Sequence, residues 1–154
     1  MKSKHWALTA VVAYLIFANT SVFSNTIKPT KHGHSSSTSK TVAELSGNIE
    51  YDFSRSSIRP TYYDKLDQLA HYLIENKTAL TLRGFADSIG SFKGNWKLSE
   101  KRAVVVKSYL VKKGVPNDKI ITTAFGSTQP ITSNHTAEGR QKNRRVEIKV
   151  NSIN

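Results

Sequence analysis

The sequence predicts an α/β fold, a two-layer α/β (α+β) sandwich. It is a βαβαββ chain forming a mixed four-stranded sheet with its helices packed on one face. Three observations lead there. Short stretches of alternating apolar and polar residues mark strands. Two longer stretches with apolar residues at helical spacing separate the first three strands. Long connections through helices point to parallel strands joined by right-handed crossovers, and a sheet so connected buries one face beneath its helices.

The elements follow in order. Ile49, Tyr51 and Phe53 alternate with polar residues, as in a half-buried strand. Pro60 suits a first helical turn, and Tyr63, Leu66, Leu69, Ala70, Leu73 and Ile74 place one apolar stripe on a helix over 60–76. Leu80 and Leu82 belong to a second strand ending at Gly84, and a loop runs to about Gly94. A long helix is expected from Asn95 or Trp96 to Lys113, with Gly114 as its left-handed cap and Pro116 blocking continuation. A third strand covers 120–125. The turn-rich stretch 126–139 leads to a last strand in which Val146, Ile148 and Val150 alternate with charged residues. No internal repeat is present.

Ahead of this domain the composition changes. Lys2 and Lys4 precede an apolar run over 6–18, and Ser24 offers a small residue before a cut. This is the order of a secretory signal peptide, and the run is shorter than the roughly 20 residues that span a bilayer. Residues 1–24 are therefore expected to be a signal peptide directing export. Residues 25–46, rich in Ser, Thr, Lys and His, are expected to form a flexible tether, because they carry too little apolar surface to offset the entropy of ordering. His32 and His34 lie in it, and two histidines fall short of the three or four ligands of a closed metal site. The folded domain is expected over 47–152.

The 154 residues carry 23 Lys and Arg against 11 Asp and Glu. Such a basic protein is drawn to polyanions, but export makes nucleic acid a poor candidate. With no cysteine, disulfides, thiol catalysis and thiolate metal sites are excluded, and no thiol is available for a thioether-linked lipid anchor. No nucleophile pattern, phosphate loop or metal-ligand spacing appears, so neither an enzyme nor a cofactor is expected.

The chemistry concentrates in Gly84-Phe85-Ala86-Asp87-Ser88-Ile89-Gly90 and the following Asn95-Trp96-Lys97-Leu98-Ser99-Glu100-Lys101-Arg102-Ala103. Asp87 lies just past a strand end, where α/β sheets open their binding crevices. Arg102 lies early in the next helix, on the same face as Ser99. Gly84 and Gly90 offer backbone freedom at the two ends of the loop, and Asn95 can cap the incoming helix. An acid and a base at one cleft mouth can grip a ligand bearing both an ammonium and a carboxylate, or simply pair with each other; spacing alone leaves both readings open.

These two stretches resemble the hallmark of the OmpA C-terminal family (OmpA/MotB/Pal), Gly-His-Thr-Asp-x-x-Gly followed by Asn-x-x-Leu-Ser-x-x-Arg-Ala. A second signature is similar over Pro130-Ile131, Asn134, Thr136 and Gly139-Arg140-Gln141-Lys142-Asn143-Arg144-Arg145-Val146-Glu147, and the opening Tyr51-Asp52-Phe53 with Ile58 and Pro60 also fits. The resemblance implies a non-catalytic module that binds the diaminopimelate of the peptidoglycan stem peptide in the periplasm. It implies that Asp87 meets the ligand's ammonium and Arg102 its carboxylate, with Asn95, Arg144 and Ser54 on ligand-side positions. Arg144, sharing the parity of Val146 and Ile148, is expected to point inward from the start of the last strand. Phe85 and Ala86 depart from the family's His-Thr, and Ile89 and Gly94 depart as well. The partner implied is peptidoglycan, with other envelope proteins beside it, and peripheral or no membrane association after cleavage. The alternatives are a structural part of an envelope machine (a stator or secretion complex) that fixes a partner, and a basic polyanion binder.

Overall fold

The computed structural model describes residues 42–151. The expected signal peptide and all but the end of the expected tether lie outside them. A short helix α1 (Val42–Leu45) is followed by β1 (Ile49–Glu50), a 3-10 turn over Pro60–Tyr62 running into α2 (Tyr63–Glu75), β2 (Ala79–Gly84) and α3 (Phe92–Lys112). A second 3-10 turn (Asn117–Lys119) leads to β3 (Ile120–Ala124), and α4 (Ala137–Asn143) precedes β4 (Arg145–Asn151). Residues 42–45 overlap the end of the expected tether, and Leu45 is buried in the core.

The sheet is four-stranded in the order β1-β4-β2-β3. β2 and β3 are parallel neighbours, as the helical crossover between them requires. β4 runs antiparallel to both β1 and β2 and lies between them. The first crossover therefore joins parallel strands that do not touch, whereas a helical connection alone implies neighbours. One face of the sheet, with Leu80, Leu82, Ile120, Val146 and Ile148, packs on Leu66, Leu69 and Leu73 of α2 and Ala103, Val106 and Leu110 of α3. Each of the Val, Leu and Ile side chains among them contributes roughly 1.5–3 kcal/mol on burial. The opposite face is polar: Arg83 and Arg145 both reach Glu147, at 3.1 and 2.6 Å.

Three local expectations need correction. The first strand stops at Glu50. Tyr51 is still buried and its N–H still reaches the Arg144 carbonyl at 2.8 Å, but the chain then turns over 52–55, with Ser54 at φ 55°, and Phe53 is exposed. The long helix begins at Phe92, ahead of Asn95. Ser91 is its N-cap, in extended conformation, and its hydroxyl accepts the Gly94 N–H at 3.1 Å. The stretch read as turns up to Gly139 ends in α4, capped by Thr136, whose hydroxyl accepts the Gly139 N–H. Gly139 stands inside this helix because a Cβ there would come within 1.9 Å of the Ser133 carbonyl oxygen.

Gly84 has a different reason from the backbone freedom expected of it. A Cβ at this position would lie 2.0 Å from the Ser99 carbonyl oxygen, so its absence lets α3 settle against the end of β2. Gly90, at φ 105°, does need the left-handed region. Gly84→Ala is expected to lower unfolding free energy by about 3 kcal/mol, the upper end of overpacking costs, because backbone and not a flexible side-chain end must move. Urea denaturation of the purified protein measures it.

Candidate functional site

The end of β2, the turn over 52–55 and the first turns of α3 surround a cavity of about 290 Å³. Ser54, Asp87, Asn95, Arg102 and Arg144, the five residues singled out from the sequence, all line it. Phe53, Ala86, Ile89 and Leu98 supply apolar wall.

Arg102 forms the floor. It is fully buried, yet no carboxylate pairs with it directly. Its Nε donates to the Arg55 carbonyl at 2.9 Å, Nη1 to the Phe85 carbonyl at 2.9 Å and Nη2 to the Asp52 carbonyl at 3.2 Å. Its guanidinium also lies 5.1 Å from the centre of the Tyr51 ring. One N–H on each terminal nitrogen is thereby left without a protein acceptor. Burial pushes the guanidinium down to about 10, opposed by the neighbouring Tyr51 and Asp87. It remains charged at neutral pH.

Asp87 is almost wholly buried, and its partner is Arg144. Nη1 of Arg144 donates to Asp87 Oδ2 at 2.8 Å, and Asp87 Oδ1 accepts the Ile89 N–H at 3.0 Å. The structural pair that spacing left open between Asp87 and Arg102 is not formed; Arg144 takes that place. Asn95 does not cap its helix. Its Nδ2 donates to the Asp87 backbone carbonyl at 3.1 Å and holds the loop against α3. Arg144 follows α4 as its C-cap instead of opening the strand, so its inward direction comes from hydrogen bonds and not from strand parity. Nε reaches the Tyr51 carbonyl at 3.1 Å, and Nη2 donates to the Gln141 side chain.

Two further residues emerge only with the fold. Gln141 braces Arg144 from one helical turn earlier and also donates to the Tyr51 carbonyl. Asn143 is fully buried; its Oδ1 accepts from Ile131 and Thr132, and its Nδ2 donates to Thr132 and Asn134. Asn134 in turn accepts the Ser88 N–H. A buried Asn with all its bonds made is the signal of such a latch, but the sequence alone does not show that Asn143 is buried.

The departures at Phe85 and Ala86 have separate consequences. Phe85 points away from the cavity: its ring stacks on Phe125 at 5.1 Å and carries the Arg145 guanidinium at 3.8 Å. Ala86 and Ile89 stand in the cavity wall.

The cavity thus offers one acid already held by one arginine, and a second, buried arginine free of any contacting carboxylate. Chemically, this arrangement can accept a zwitterionic group, with the surplus positive charge favouring its carboxylate. Among the described residues, no cluster of three or more His, Cys, Asp or Glu could hold a metal ion.

Arg102→Ala would strand three backbone carbonyls and leave a hollow, at a cost of about 1–3 kcal/mol for each unsatisfied group. The expected outcome is a loss of 3 kcal/mol or more in urea denaturation, on that same per-group scale of about 1–3, with Arg102→Lys recovering only part of it because an ammonium lacks the planar fork.

A sequence profile of the OmpA family matches residues 50–144. Outer membrane protein A of Bordetella avium is 46% identical over 102 residues, covering 65% of this chain and 52% of that protein. The peptidoglycan-binding protein ArfA of Mycobacterium tuberculosis is 44% identical over 110 residues, covering 71% of this chain and 34% of that protein. The chain therefore spans about half or less of the length of these relatives. Among solved structures, the peptidoglycan-associated lipoprotein of Burkholderia pseudomallei superposes with a TM-score of 0.66 at 25% identity, covering 68% of this chain and 90% of that one.

Proposed function

Because this chain belongs to the OmpA family, we propose that it is a non-catalytic module that binds peptidoglycan through the diaminopimelate of the stem peptide, in the periplasm, and so ties the envelope to the wall. The observation that carries the reading is the pairing of charges in one small cavity. Asp87 keeps a lone pair on each oxygen beyond its bonds to Arg144 and Ile89, and can accept an ammonium. Arg102 keeps two N–H groups for a carboxylate. Diaminopimelate carries both groups at one carbon. ArfA and the Burkholderia lipoprotein are both named for the same polymer.

In this reading Asn95 fixes the loop that aims Asp87, Arg144 holds the acid in place, and Ser54 closes the wall across the cavity. Export by the N-terminal segment places the module where the polymer lies. Charged hydrogen bonds contribute about 1.5–3 kcal/mol each, so the Asp87 and Arg102 contacts dominate affinity.

Asp87→Asn is the variant of choice, since the amide oxygen can still accept the Ile89 N–H while the charge is gone. The purified wild-type chain is expected to sediment with isolated sacculi, and Asp87→Asn to stay in the supernatant with an unchanged circular-dichroism spectrum. Equal sedimentation of the two would overturn the assignment of Asp87.

A further inference from the structure

The flank of α3 turned away from the cavity is unfinished. Trp96, Val104 and Val111 are exposed large apolar side chains on it. With Glu100 and Lys107 they recur at intervals of three and four residues, which is one face of a helix. Three hollows run along this face and share walls. One holds Phe92, Trp96 and Glu100; the next holds Trp96, Glu100 and Ala103 against Thr122 to Phe125; the third holds Val104, Lys107 and Val111 against Thr122.

Beside this groove lies β3, an edge of the sheet. The other edge, β1, is only two residues long. β3 has five residues, Ile120–Ala124, with no proline and no charge, and Ile121 is exposed. Natural sheets usually blunt such an edge. The Phe125 N–H turns inward to the Gly84 carbonyl, and the Ile120 carbonyl turns outward to Lys107 Nζ at 2.7 Å. By alternation, Ile120, Thr122 and Ala124 present their backbone groups outward.

We infer that this edge and helix face form a twofold interface with a second copy of the same chain, β3 pairing antiparallel with β3 about Thr122 and α3 lying antiparallel beside its mate. The helical stripe reads Trp96, Glu100, Val104, Lys107, Val111, and it is complementary to itself when reversed. Thr122 stands level with Ala103 and Val104, since it walls both adjoining hollows. About that centre Glu100 meets the mate's Lys107, Trp96 meets the mate's Val111, and Val104 meets its own copy. An isologous interface requires this reciprocity. The Glu100 side chain, in the middle of α3, makes no ion pair or hydrogen bond among the described residues, so its carboxylate is available. Lys107 exchanges the Ile120 carbonyl for that carboxylate, and the carbonyl goes to the mate's Ala124 N–H. β3 and β3 then pair about 4.8 Å apart, which brings the helices to ordinary packing distance. The site described above lies on the other flank of α3, so this interface does not depend on the ligand reading.

Charge reversal with rescue tests it, by sedimentation velocity of the full chain at physiological ionic strength over a concentration series. The wild type is expected to dimerise reversibly. Glu100→Lys and Lys107→Glu alone should each weaken the dimer at least tenfold, and E100K/K107E together should restore it. Thermal melts check that each variant is folded. The chain has no cysteine, so Val104→Cys gives an independent reading: mild oxidation should yield a disulfide-linked dimer. A wild type that stays monomeric throughout, a dimer indifferent to both single reversals, or a double variant that fails to recover would each overturn the interface.

Discussion

The guanidinium of Arg102 holds together the two chain segments that make the site. It collects carbonyls from the turn after β1, at Asp52 and Arg55, and from the strand end after β2, at Phe85. Burying an arginine costs several kcal/mol in desolvation. Three hydrogen bonds from a charged donor, at about 1.5–3 kcal/mol each, offset that cost. The residue is therefore fixed by geometry and not by a counter-charge, and its positive charge stays available to the cavity above it. The same contacts explain why the first strand ends early: the carbonyls that would continue it are turned toward Arg102.

Around this floor the acid is held from three sides. Arg144 takes one oxygen of Asp87, the Ile89 N–H takes the other, and Asn95 fixes the backbone carbonyl of the same residue. Asn143 anchors the distant loop that supports Ser88 through Asn134. Such bracing places a carboxylate in one position before any ligand arrives, which reduces the ordering cost of binding. The arrangement depends on Gly84, because only a residue without Cβ lets Ser99, and with it the whole turn of α3 that carries Arg102, lie against the sheet.

Much of this was legible in the residues. The periodicity of Leu66, Leu69 and Leu73 located α2, the alternation of Val146 and Ile148 located β4, and the five site residues converge on one cavity. What was not legible rests on long-range contacts. Ser91 competes with Asn95 as helix cap, and Asn95 is drawn off by the Asp87 carbonyl. Gly139 signals a turn locally, whereas its place in α4 is dictated by the Ser133 carbonyl. The partner of Asp87 also depends on where α4 ends, and no spacing within the loop could choose Arg144 over Arg102. The insertion of β4 between β1 and β2 is a topological choice that a strand-by-strand reading does not make.

In the function proposed above, a buried, carboxylate-free Arg102 and a braced Asp87 together read a group that is both ammonium and carboxylate. Calorimetric titration with two stem peptides, identical except for diaminopimelate or lysine at the branching residue, tests it most directly. Lysine lacks the second carboxylate. The diaminopimelate peptide is expected to bind, with an affinity lower by about 10- to 100-fold for the lysine peptide, the loss of one charged hydrogen-bonded contact. Equal affinities for the two peptides would contradict it.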